Sequence, residues 1–581
     1  MSRGWISGEV KEEISRRTDI VAMVSTHVSL KKSGRYYKGL CPFHQEKTPS
    51  FHVDPERGLF HCFGCGAGGD VFDFAMGSAN LTFMEAAQEL GRRAGVEVKI
   101  SPDAAQWAPE REQTMRALDA TRNHFWASLV LASIIVIQTA AVTHGLYRAP
   151  RVEVTGGPGS YELRVGGRPF YVRGVSFSVN EDPSDPEESL TRARLRFHFN
   201  RIRQMGANTV RRYGDTEDTP VILDAARDAG LMVMMGFWLD HDIDYLRDQR
   251  RLDQYRSRVR EWVLSHKDHP AVLLWVLGNE TWGLLKTEFP TRKELFNRRA
   301  AYYRFVESLA QMVKRIDPNH PVMTVDEHIP DGLDFREGLR SSLGMFRESV
   351  RSVDIFGINS YFVQDISDLH DIVVDSKIGR PYIVSEFGPA GYWLPNRVAD
   401  DLGEPVEPRD FQKASAYAAN WHLFIEKHRG WNLGGNAFVW KDKREGAFTW
   451  FGLTDSQDRL KPAYWSLREA WTGRRPPRHR PLVVDFTVNK RWARPEESIF
   501  VRTRLLPTLD PSRYVYTYLI SPAAMTYVES QFTTDLSEVP LRAPGIVGVY
   551  RVYVYATTRD NTMVSTGSAT FGVYGDKKGK R

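Results

Sequence analysis

The sequence has 581 residues and a formal net charge of +6, and it is too long for one hydrophobic core, so we expect three or four folding units. Its 42% hydrophobic and 26% charged residues are ordinary for globular protein, and so mild a charge does not by itself indicate nucleic acid or an acidic substrate. The three cysteines, Cys41, Cys62 and Cys65, all lie near the start, which excludes disulfide bonds from the rest of the chain.

The first hundred residues hold a motif typical of a metal site. Cys41-Pro-Phe-His44 is followed after seventeen residues by Cys62-Phe-Gly-Cys65. Each short pair allows two ligands from one tight turn to reach the same ion, and four such ligands close a tetrahedron around zinc with no open position. The spacing therefore predicts a structural Zn²⁺ bound by Cys41, His44, Cys62 and Cys65, and it favours metal over disulfides.

Residues 1–100 closely resemble the zinc-binding domain of bacterial DNA primases. The similarity runs from Ile14 through Leu40-Cys-Pro-Phe-His-Gln-Glu-Lys-Thr-Pro-Ser-Phe51 to Phe74, and it implies that this module engages single-stranded DNA. Cations alternate with aromatic residues as such binding needs, at Lys31, Lys32, Arg35, Tyr36, Tyr37 and Lys38. The alternative is a solvated charged hairpin. No later stretch resembles the acidic catalytic core of a primase, so we do not expect primer synthesis from this chain alone.

A polar linker is expected at 101–124, and an uncharged run follows it. Phe125 to Val142 form eighteen residues without a charge, at the lower limit of length for a transmembrane helix. With flanking aromatic residues, the run predicts a membrane-spanning helix at 125–147 and a lipid bilayer as partner; a buried core helix is the alternative. More arginines precede the run than follow it, which favours a cytoplasmic N-terminus and a periplasmic or extracellular remainder.

Apolar runs alternate with helical segments between residues 150 and 475. The predicted strands end near Ser176, Arg211, Trp238, Glu280, Asp326, Tyr361, Glu386 and Trp440. Eight strand–helix units over roughly 300 residues are the number that a (β/α)₈ TIM barrel requires. Catalytic side chains in such barrels project from the C-terminal ends of the strands, and we therefore expect the functional site at these strand ends.

Two of these predicted strands carry a carboxylate at their ends. Ala271-Val-Leu-Leu-Trp-Val-Leu-Gly-Asn-Glu280 and Pro381-Tyr-Ile-Val-Ser-Glu-Phe-Gly388 resemble the acid/base strand and the nucleophile strand of family 2 glycoside hydrolases. The resemblance implies that Glu280 is the acid/base and Glu386 the nucleophile of a retaining double displacement. Either glutamate alone could instead cap a helix, but the pair in this order favours catalysis.

Further strand-end residues complete the predicted substrate site. We expect Arg211 to keep Glu386 ionised, Asn279 to bind the 2-hydroxyl of the sugar, and Tyr361 to orient Glu386. Trp440 offers a flat apolar surface for a sugar ring, and the remaining candidates are Asp240, His241 and His328. The alternative for these residues is ordinary packing at strand ends. The glycosidase site needs no cofactor.

The segment 481–575 has no helical periodicity. Runs such as Gly548-Val-Tyr-Arg-Val-Tyr-Val-Tyr555 alternate with turns, which predicts an antiparallel, immunoglobulin-like β-sandwich. The predicted fold class is therefore multidomain α/β, with an N-terminal zinc-ribbon module, one transmembrane helix, a TIM barrel and a C-terminal β-sandwich.

The function predicted from these parts is a membrane-anchored retaining β-glycosidase or transglycosylase that acts on β-linked carbohydrate, joined to a primase-type zinc module. The segment before the barrel is shorter than in family 2 enzymes, and Arg212-Tyr213-Gly214 is also similar to β-1,3-glucan hydrolases and transglycosylases, so the sugar and its linkage stay open. One alternative is a DNA-binding zinc protein whose barrel is not catalytic. Another is an artificial or misassembled fusion of two genes.

Overall fold

The structure, a computed structural model, forms two compact units, Met1–Val142 and Thr143–Arg581. It describes residues 8–34, 36–42, 49–55, 58–62, 68–79, 83–96, 98, 149–178, 190–289, 291–328, 338–361, 363–393, 399–525 and 527–575. The predicted ligands His44 and Cys65, the predicted DNA contact Arg35, and the segments 101–124 and 125–147 lie outside the described residues.

The first unit is built on a five-stranded antiparallel sheet with strands in chain order. The strands are β1 (Lys31–Ser33), β2 (Tyr36–Gly39), β3 (Phe51–Asp54), β4 (Leu59–Cys62) and β5 (Gly68–Gly69). The helices are Gly8–Arg17, Ile20–Ser25, Val71–Ala79 and Phe83–Ala94. Phe51 stacks on Phe60 at 5.2 Å, and Phe74 meets Phe60 edge-on at 5.5 Å. Aromatic packing thus forms the centre of a small core.

The transmembrane helix of the predicted fold class was wrong. Across the described ranges, no helix combines the length and the hydrophobicity that crossing a bilayer demands. The prediction rested on the uncharged run 125–142, which is at the lower limit of length for a span and includes Ser128, Ser133, Gln138 and Thr139. The predicted single-pass membrane localisation and the bilayer partner are corrected with it.

The second unit begins with a small three-stranded antiparallel sheet of β6 (Val152–Thr155), β7 (Glu162–Val165) and β8 (Arg168–Pro169). Its buried residues Val152 and Leu163 share a core cluster with Val172 and Met234, which belong to the barrel that follows. A backbone hydrogen bond reinforces this packing, since Val152 N–H donates to Asn319 O at 2.8 Å. The small sheet therefore packs directly on the barrel.

Eight parallel strands close into a barrel. They are β9 (Val172–Ser176), β10 (Thr209–Arg211), β11 (Met232–Phe237), β12 (Val272–Asn279), β13 (Val322–Glu327), β14 (Ile355–Asn359), β15 (Tyr382–Phe387) and β16 (Asn432–Ala437). All eight residues of β12 are buried, as expected for a parallel strand covered on both faces. The sequence placed the strand ends closely, and the largest difference is at β16, which was expected to end near Trp440 and ends at Ala437.

Amphipathic helices surround the barrel. The helix Arg192–Gln204 buries Leu195, Phe199 and Ile202 and exposes most of its arginines. The other α-helices described are Thr219–Ala229, Gln249–His266, Thr281–Glu288, Arg292–Ile316, Leu339–Ser349, Val363–Ser376, Asp410–Ala419 and Pro462–Thr472. A π-helical turn, Asn420–Ile425, and a 3₁₀ turn, Glu426–His428, extend the helix that begins at Asp410. These helices keep water from the outer faces of the strands.

Two sheets, antiparallel except for one short parallel pair, follow the barrel and share one hydrophobic core. One sheet contains β17 (Val483–Val488), β19 (Ser498–Leu505) and β22 (Glu538–Arg542). The other contains β18 (Trp492–Ala493), β20 (Tyr514–Pro522), β21 (Ser530–Thr534), β23 (Gly548–Thr558) and β24 (Val564–Val573). In β19, exposed and buried residues alternate without exception, the pattern of a strand with one solvated face.

The sandwich contacts the barrel through a buried polar network. Lys413 Nζ donates to Glu407 at 2.6 Å and to Asp410 at 3.2 Å. Asp410 accepts from Thr566 N–H in β24 at 2.6 Å, and Glu407 accepts from Ser568 Oγ at 2.5 Å. Tyr553 and Tyr555 of β23 also pack in one cluster with Tyr361, Phe438 and Phe451. The sandwich therefore supports residues at the C-terminal mouth of the barrel.

Candidate active site

Glu386 lies near the end of β15 in a nest of hydrogen-bond donors. It is 4% exposed, and its Oε1 accepts from Arg211 Nη1 at 2.7 Å and from the Tyr213 hydroxyl at 2.8 Å. The Tyr361 hydroxyl donates to Oε2. A guanidinium and two phenols therefore hold the carboxylate in one orientation and pair its charge, as a nucleophile requires.

Arg211, at the end of β10, connects the two halves of the site. Its Nη1 also donates to Ser385 O at 3.0 Å, and its Nη2 donates to Asn279 Oδ1 at 2.7 Å. The guanidinium lies 4.5 Å from the centre of the Tyr213 ring, and Arg211 is 1% exposed. A buried cation is tolerated only when it is paired and hydrogen-bonded, and the planar fork of arginine allows both contacts at once.

Glu280 follows β12 in a backbone conformation that directs it into the barrel mouth. The pairing register shifts between Leu277 and Asn279, and Gly278 between them has φ 77°. Glu280, just after the strand, has φ 55°. A non-glycine residue in the left-handed region is uncommon and often marks a functional position. The Glu280 side chain makes no cap hydrogen bond to the helix Thr281–Glu288. This observation argues against the alternative that Glu280 serves only as a helix cap.

The Glu280 carboxyl is biased towards its protonated form. Burial, with the nearby charges of Glu386 and Glu327, raises the pKa of Glu280 to about 8, against the opposing effect of Asn359 and Arg211. A carboxylic acid with that pKa carries its proton at neutral pH and can donate it. Glu280 thus differs from Glu386, whose carboxylate accepts hydrogen bonds from a guanidinium and two phenols.

Asn359, at the end of β14, links the two glutamates. Its Nδ2 donates to Glu280 Oε1 at 2.7 Å and to Asn279 Oδ1 at 3.1 Å. Its Oδ1 accepts from Ser385 Oγ at 2.7 Å and from Arg211 Nη1 at 3.4 Å. The amide therefore uses both ends in a continuous network from Glu280 to Glu386.

Two of the four predicted zinc ligands lie within the described residues of the first unit. Cys41 and Cys62 are both buried. The register places Gly39, two residues before Cys41, opposite Phe51, and Phe51 opposite Cys62, so both thiols lie at the same end of the sheet. Cys62 Sγ is 3.1 Å from Ser50 Oγ. Two buried thiols at the same end of one small sheet fit a structural zinc site, in which they would supply thiolate ligands.

The first unit and the barrel each match a known family. Residues 6–106 match the family described as the CHC2 zinc finger, and residues 159–394 match the family described as glycosyl hydrolases family 2, TIM barrel domain. The chain is thus similar to a primase zinc finger in its first unit and to a family 2 glycosyl hydrolase barrel in its second. Both resemblances noted in the sequence are thereby confirmed.

Curated proteins similar to the chain match its zinc finger. The DNA primase of Geobacillus stearothermophilus is 53% identical over 95 residues, which are 16% of each chain, and that of Myxococcus xanthus is 43% identical over 118 residues, 20% of this chain and 19% of the primase. The chain therefore spans only a small part of these primases.

Solved structures similar to the chain overlap its second unit. A β-glucuronidase from Bacteroides uniformis is 16% identical with a TM-score of 0.44, over 73% of this chain and 48% of that chain. A β-galacturonidase from Eisenbergiella tayi is 18% identical with a TM-score of 0.41, over 56% of this chain and 54% of that chain. The chain thus spans about half the length of these enzymes.

In the barrel, five of the predicted site residues come together: Glu280, Glu386, Arg211, Asn279 and Tyr361. Trp440 lies apart, because it is fully buried among the surrounding helices and its Nε1 donates to His198 Nδ1 at 3.0 Å. It offers no surface to a sugar. Phe438, just after β16, takes the inward position instead, and its ring meets that of Tyr361 edge-on at 5.6 Å.

The remaining predicted residues lie at the edge of the site. Asp240 accepts from the Tyr255 hydroxyl at 2.5 Å and from Arg251 at 3.3 Å, both on the helix Gln249–His266. His241, the next residue, is partly exposed. His328 Nδ1 is 3.2 Å from Ser360 Oγ, and the backbone N–H of His328 donates to Asn359 O at 2.8 Å. Of these three residues, His328 is the one with hydrogen bonds to the end of β14, where Asn359 lies.

Sequence reasoning missed four residues in the site, namely Tyr213, Asn359, Phe438 and Glu327. Asn359 and Glu327 end β14 and β13, so the strand-end rule that selected Glu280 could have found them. Burial raises the pKa of Glu327, and the Lys286 ammonium, 3.7 Å from the carboxylate, opposes that shift. Tyr213 and Phe438 follow their strands in loops, where sequence spacing does not predict direction.

Proposed function

We propose that the family 2 barrel is a retaining β-glycosidase in which Glu386 is the nucleophile and Glu280 the acid/base. The observation that supports it is the difference between the two carboxyl environments. Glu386 accepts from Arg211, Tyr213 and Tyr361, whereas burial and neighbouring charges raise the pKa of Glu280 to about 8. A double displacement needs one ionised and one protonated carboxyl at the same moment.

The proposed reaction has two balanced steps. The Glu386 carboxylate attacks the anomeric carbon while Glu280 gives its proton to the departing oxygen, so the glycosidic bond breaks and a glycosyl ester forms. Glu280, now ionised, then takes a proton from water, whose oxygen displaces Glu386 with overall retention. Asn279, held by Arg211 and Asn359, is proposed to bind the sugar 2-hydroxyl. Transfer to a sugar hydroxyl uses the same groups, with that hydroxyl in place of water.

The test distinguishes the proposed role of Glu386 from that of Glu280. Initial screening uses 4-nitrophenyl β-glycosides of glucose, galactose, mannose, glucuronic acid and galacturonic acid, with β-1,3-glucan oligosaccharides as acceptors and substrates. Glu386→Ala should abolish turnover of every substrate, and azide should restore it with inverted product, because the anion attacks from the vacated side. Glu280→Ala should fail on poor leaving groups yet still form the glycosyl-enzyme from activated aryl glycosides, so that this intermediate accumulates.

The matched control is Glu348→Ala, at an exposed position on the helix Leu339–Ser349. It should leave all rates unchanged. Identical substrate profiles for Glu280→Ala and Glu386→Ala, or losses that only follow lost stability, would contradict the two-carboxylate reaction.

For the first unit, we propose a zinc-stabilised contact with single-stranded DNA. In the β1–β2 hairpin, Lys31 pairs with Lys38 and Lys32 with Tyr37, and Lys31 and Lys32 are exposed. Tyr36 is partly exposed and packs 6.4 Å from the His52 ring. Cations beside partly exposed rings suit a single-stranded backbone with stacking bases. Anisotropy of a labelled oligodeoxynucleotide should show weaker, less salt-dependent binding by Lys31→Ala/Lys32→Ala, and unchanged binding would contradict the proposal.

A further inference from the structure

Trp393, in the loop after β15, exposes a large apolar surface beside the site. It is 46% exposed, although its ring contacts three others. Tyr361 meets it nearly perpendicular at 5.1 Å, Tyr392 at 5.0 Å, and Phe451 lies tilted at 5.4 Å. An exposed indole that is fixed by its neighbours, beside the polar site at the strand ends of a barrel, is typical of a ligand contact.

The position of Trp393 relative to the nucleophile follows from Tyr361. The Tyr361 hydroxyl donates to Glu386 Oε2, and Tyr361 is only 8% exposed. The wall of the site thus runs from the carboxylate to the buried phenol and on to the exposed indole. A sugar ring on Trp393 would lie one ring outward from the one that Glu386 attacks.

The loop is held in place from the barrel side. Trp450 Nε1 donates to Ala390 O at 2.9 Å, and the Trp450 ring packs 5.8 Å from Tyr392. Trp450 itself is 2% exposed. The indole surface is therefore presented by a supported loop, which lowers the entropy cost of binding a ligand there.

We propose that Trp393 stacks against the sugar ring next to the one whose bond is cleaved, so that the substrate is a β-linked oligosaccharide and not a simple monosaccharide glycoside. This inference rests on the proposed function. The C–H faces of pyranose rings are apolar, and a flat indole buries them while the hydroxyls at the ring edge stay in water.

The test compares substrates with and without a second ring. The first is the β-glycosyl fluoride of the sugar preferred in the aryl glycoside screen, which contains one sugar ring and no neighbouring ring. The second is the β-linked tetrasaccharide of the same sugar. Trp393→Ala should lower kcat/KM for the tetrasaccharide by about tenfold to a hundredfold, as expected when burial of one ring is lost. The fluoride should change by less than about twofold. Trp393→Phe, which keeps a flat ring, should recover most of the loss.

The control is Trp492→Ala, because Trp492 is a comparably exposed indole, 50% exposed, on β18 of the sandwich. It should leave both substrates unaffected. Equal losses on the fluoride and the tetrasaccharide would show that Trp393 only supports Tyr361, and no loss on either would also overturn the proposal.

A second readout keeps the inference separate from catalysis. If the parent protein cleaves neither substrate, the proposed function fails, and quenching of tryptophan fluorescence by the tetrasaccharide in Glu386→Gln then tests Trp393 alone. Saturable quenching that disappears in Glu386→Gln/Trp393→Ala supports the stacking site. Quenching that is absent in Glu386→Gln, or that persists in the double variant, overturns it.

Discussion

Asn359 Nδ2 donates to Glu280 Oε1 at 2.7 Å, so the amide at the end of β14 is hydrogen-bonded directly to the proposed proton donor. The strand register also pairs Asn359 with Glu386 on β15. Because Asn359 accepts from Ser385 Oγ at 2.7 Å, its orientation is fixed independently of Glu280. These contacts give Asn359 a positioning role between the two carboxyl groups.

The first prediction follows from that contact. An N–H that donates to a carboxylate stabilises its ionised form, so Asn359→Ala should raise the pKa of Glu280 above its value of about 8. The alkaline limb of kcat/KM should move to higher pH, while the value at the optimum falls by about tenfold to a hundredfold because the proton donor is less well oriented. The measurement is the pH profile with an aryl β-glycoside. A purely structural role would lower kcat/KM at every pH and leave the limb in place.

The second prediction concerns stability and pH. In the unfolded chain a glutamate releases its proton near pH ~4.3, but the pKa of Glu280 in the folded protein is about 8. Between these values the folded state binds one more proton than the unfolded state, so stability falls as pH rises through this window. Glu280→Gln removes the effect. Its free energy of unfolding should match the parent near pH 4 and exceed it at pH 8.5, with a gap of up to about 1.4 kcal/mol per pH unit.

Urea unfolding at both pH values measures that gap. Glu348→Gln, at an exposed site, should show no pH-dependent difference from the parent. A gap for Glu280→Gln that is constant with pH would mean that the carboxyl is not held in its protonated form.

The sequence predicted the convergence of Glu280, Glu386 and Arg211 because parallel strands bring their C-terminal ends together. It did not predict the direction of residues beyond a strand end. β16 ends at Ala437, and Phe438 faces Tyr361 while Trp440 packs on His198. A run of apolar residues in the sequence does not distinguish these two positions, since both are buried.

Features without periodicity were harder to predict. Trp393 follows β15 in an irregular loop, and its exposure depends on rings contributed by Tyr361 and Phe451, which are distant in sequence. The uncharged run 125–142 predicted a membrane-spanning helix from composition alone, but no helix in the described part of the chain has the length and hydrophobicity for that role. Long, regular apolar strands were the most predictable part of the chain.

The third prediction tests metal in the first unit. We propose that Zn²⁺ is bound by Cys41, His44, Cys62 and Cys65, and that ligation stabilises the fold around Phe51 and Phe60. Cys62→Ser should lower the zinc content of the full chain from one per molecule, and it should make residues 8–98 sensitive to protease while the barrel stays resistant. Metal analysis with limited proteolysis measures both.

A matched control for the zinc site is Ser50→Ala, because Ser50 Oγ lies 3.1 Å from Cys62 Sγ but is not a proposed ligand. Zinc content should be unchanged in this variant. A parent protein with no stoichiometric zinc, or a Cys62→Ser variant that retains it, would contradict the ligand set.

The last prediction concerns the attachment of the sandwich to the barrel. Lys413 Nζ pairs with Glu407 at 2.6 Å and Asp410 at 3.2 Å, and these side chains are at most 4% exposed. Both carboxylates also accept hydrogen bonds from β24. Lys413→Met would leave two buried carboxylates without their cation, which typically costs about 3–5 kcal/mol. The partly exposed pair Lys490–Glu497, at 2.6 Å, gives a matched control, since Lys490→Met should cost no more than about 1 kcal/mol.

The pH dependence of the Lys413 variant separates this charge pairing from simple packing. Despite burial, Lys413 lowers the pKa of Glu407 to about 2, helped by Ser568 and Thr449. A lowered carboxyl pKa contributes stability above the unfolded value and loses it as pH falls towards 2. Urea unfolding of the parent should therefore weaken between pH 4.5 and pH 2.5, and Lys413→Met should show a smaller change over that range because the cation that lowers the pKa is absent. Lys413 Nζ also donates to Thr449 O at 2.8 Å, and Thr449 directly precedes Trp450, which supports the loop of Trp393. In Lys413→Met, turnover of the tetrasaccharide should therefore fall together with stability. Equal acid sensitivity in parent and variant would mean that the pair does not control the interface.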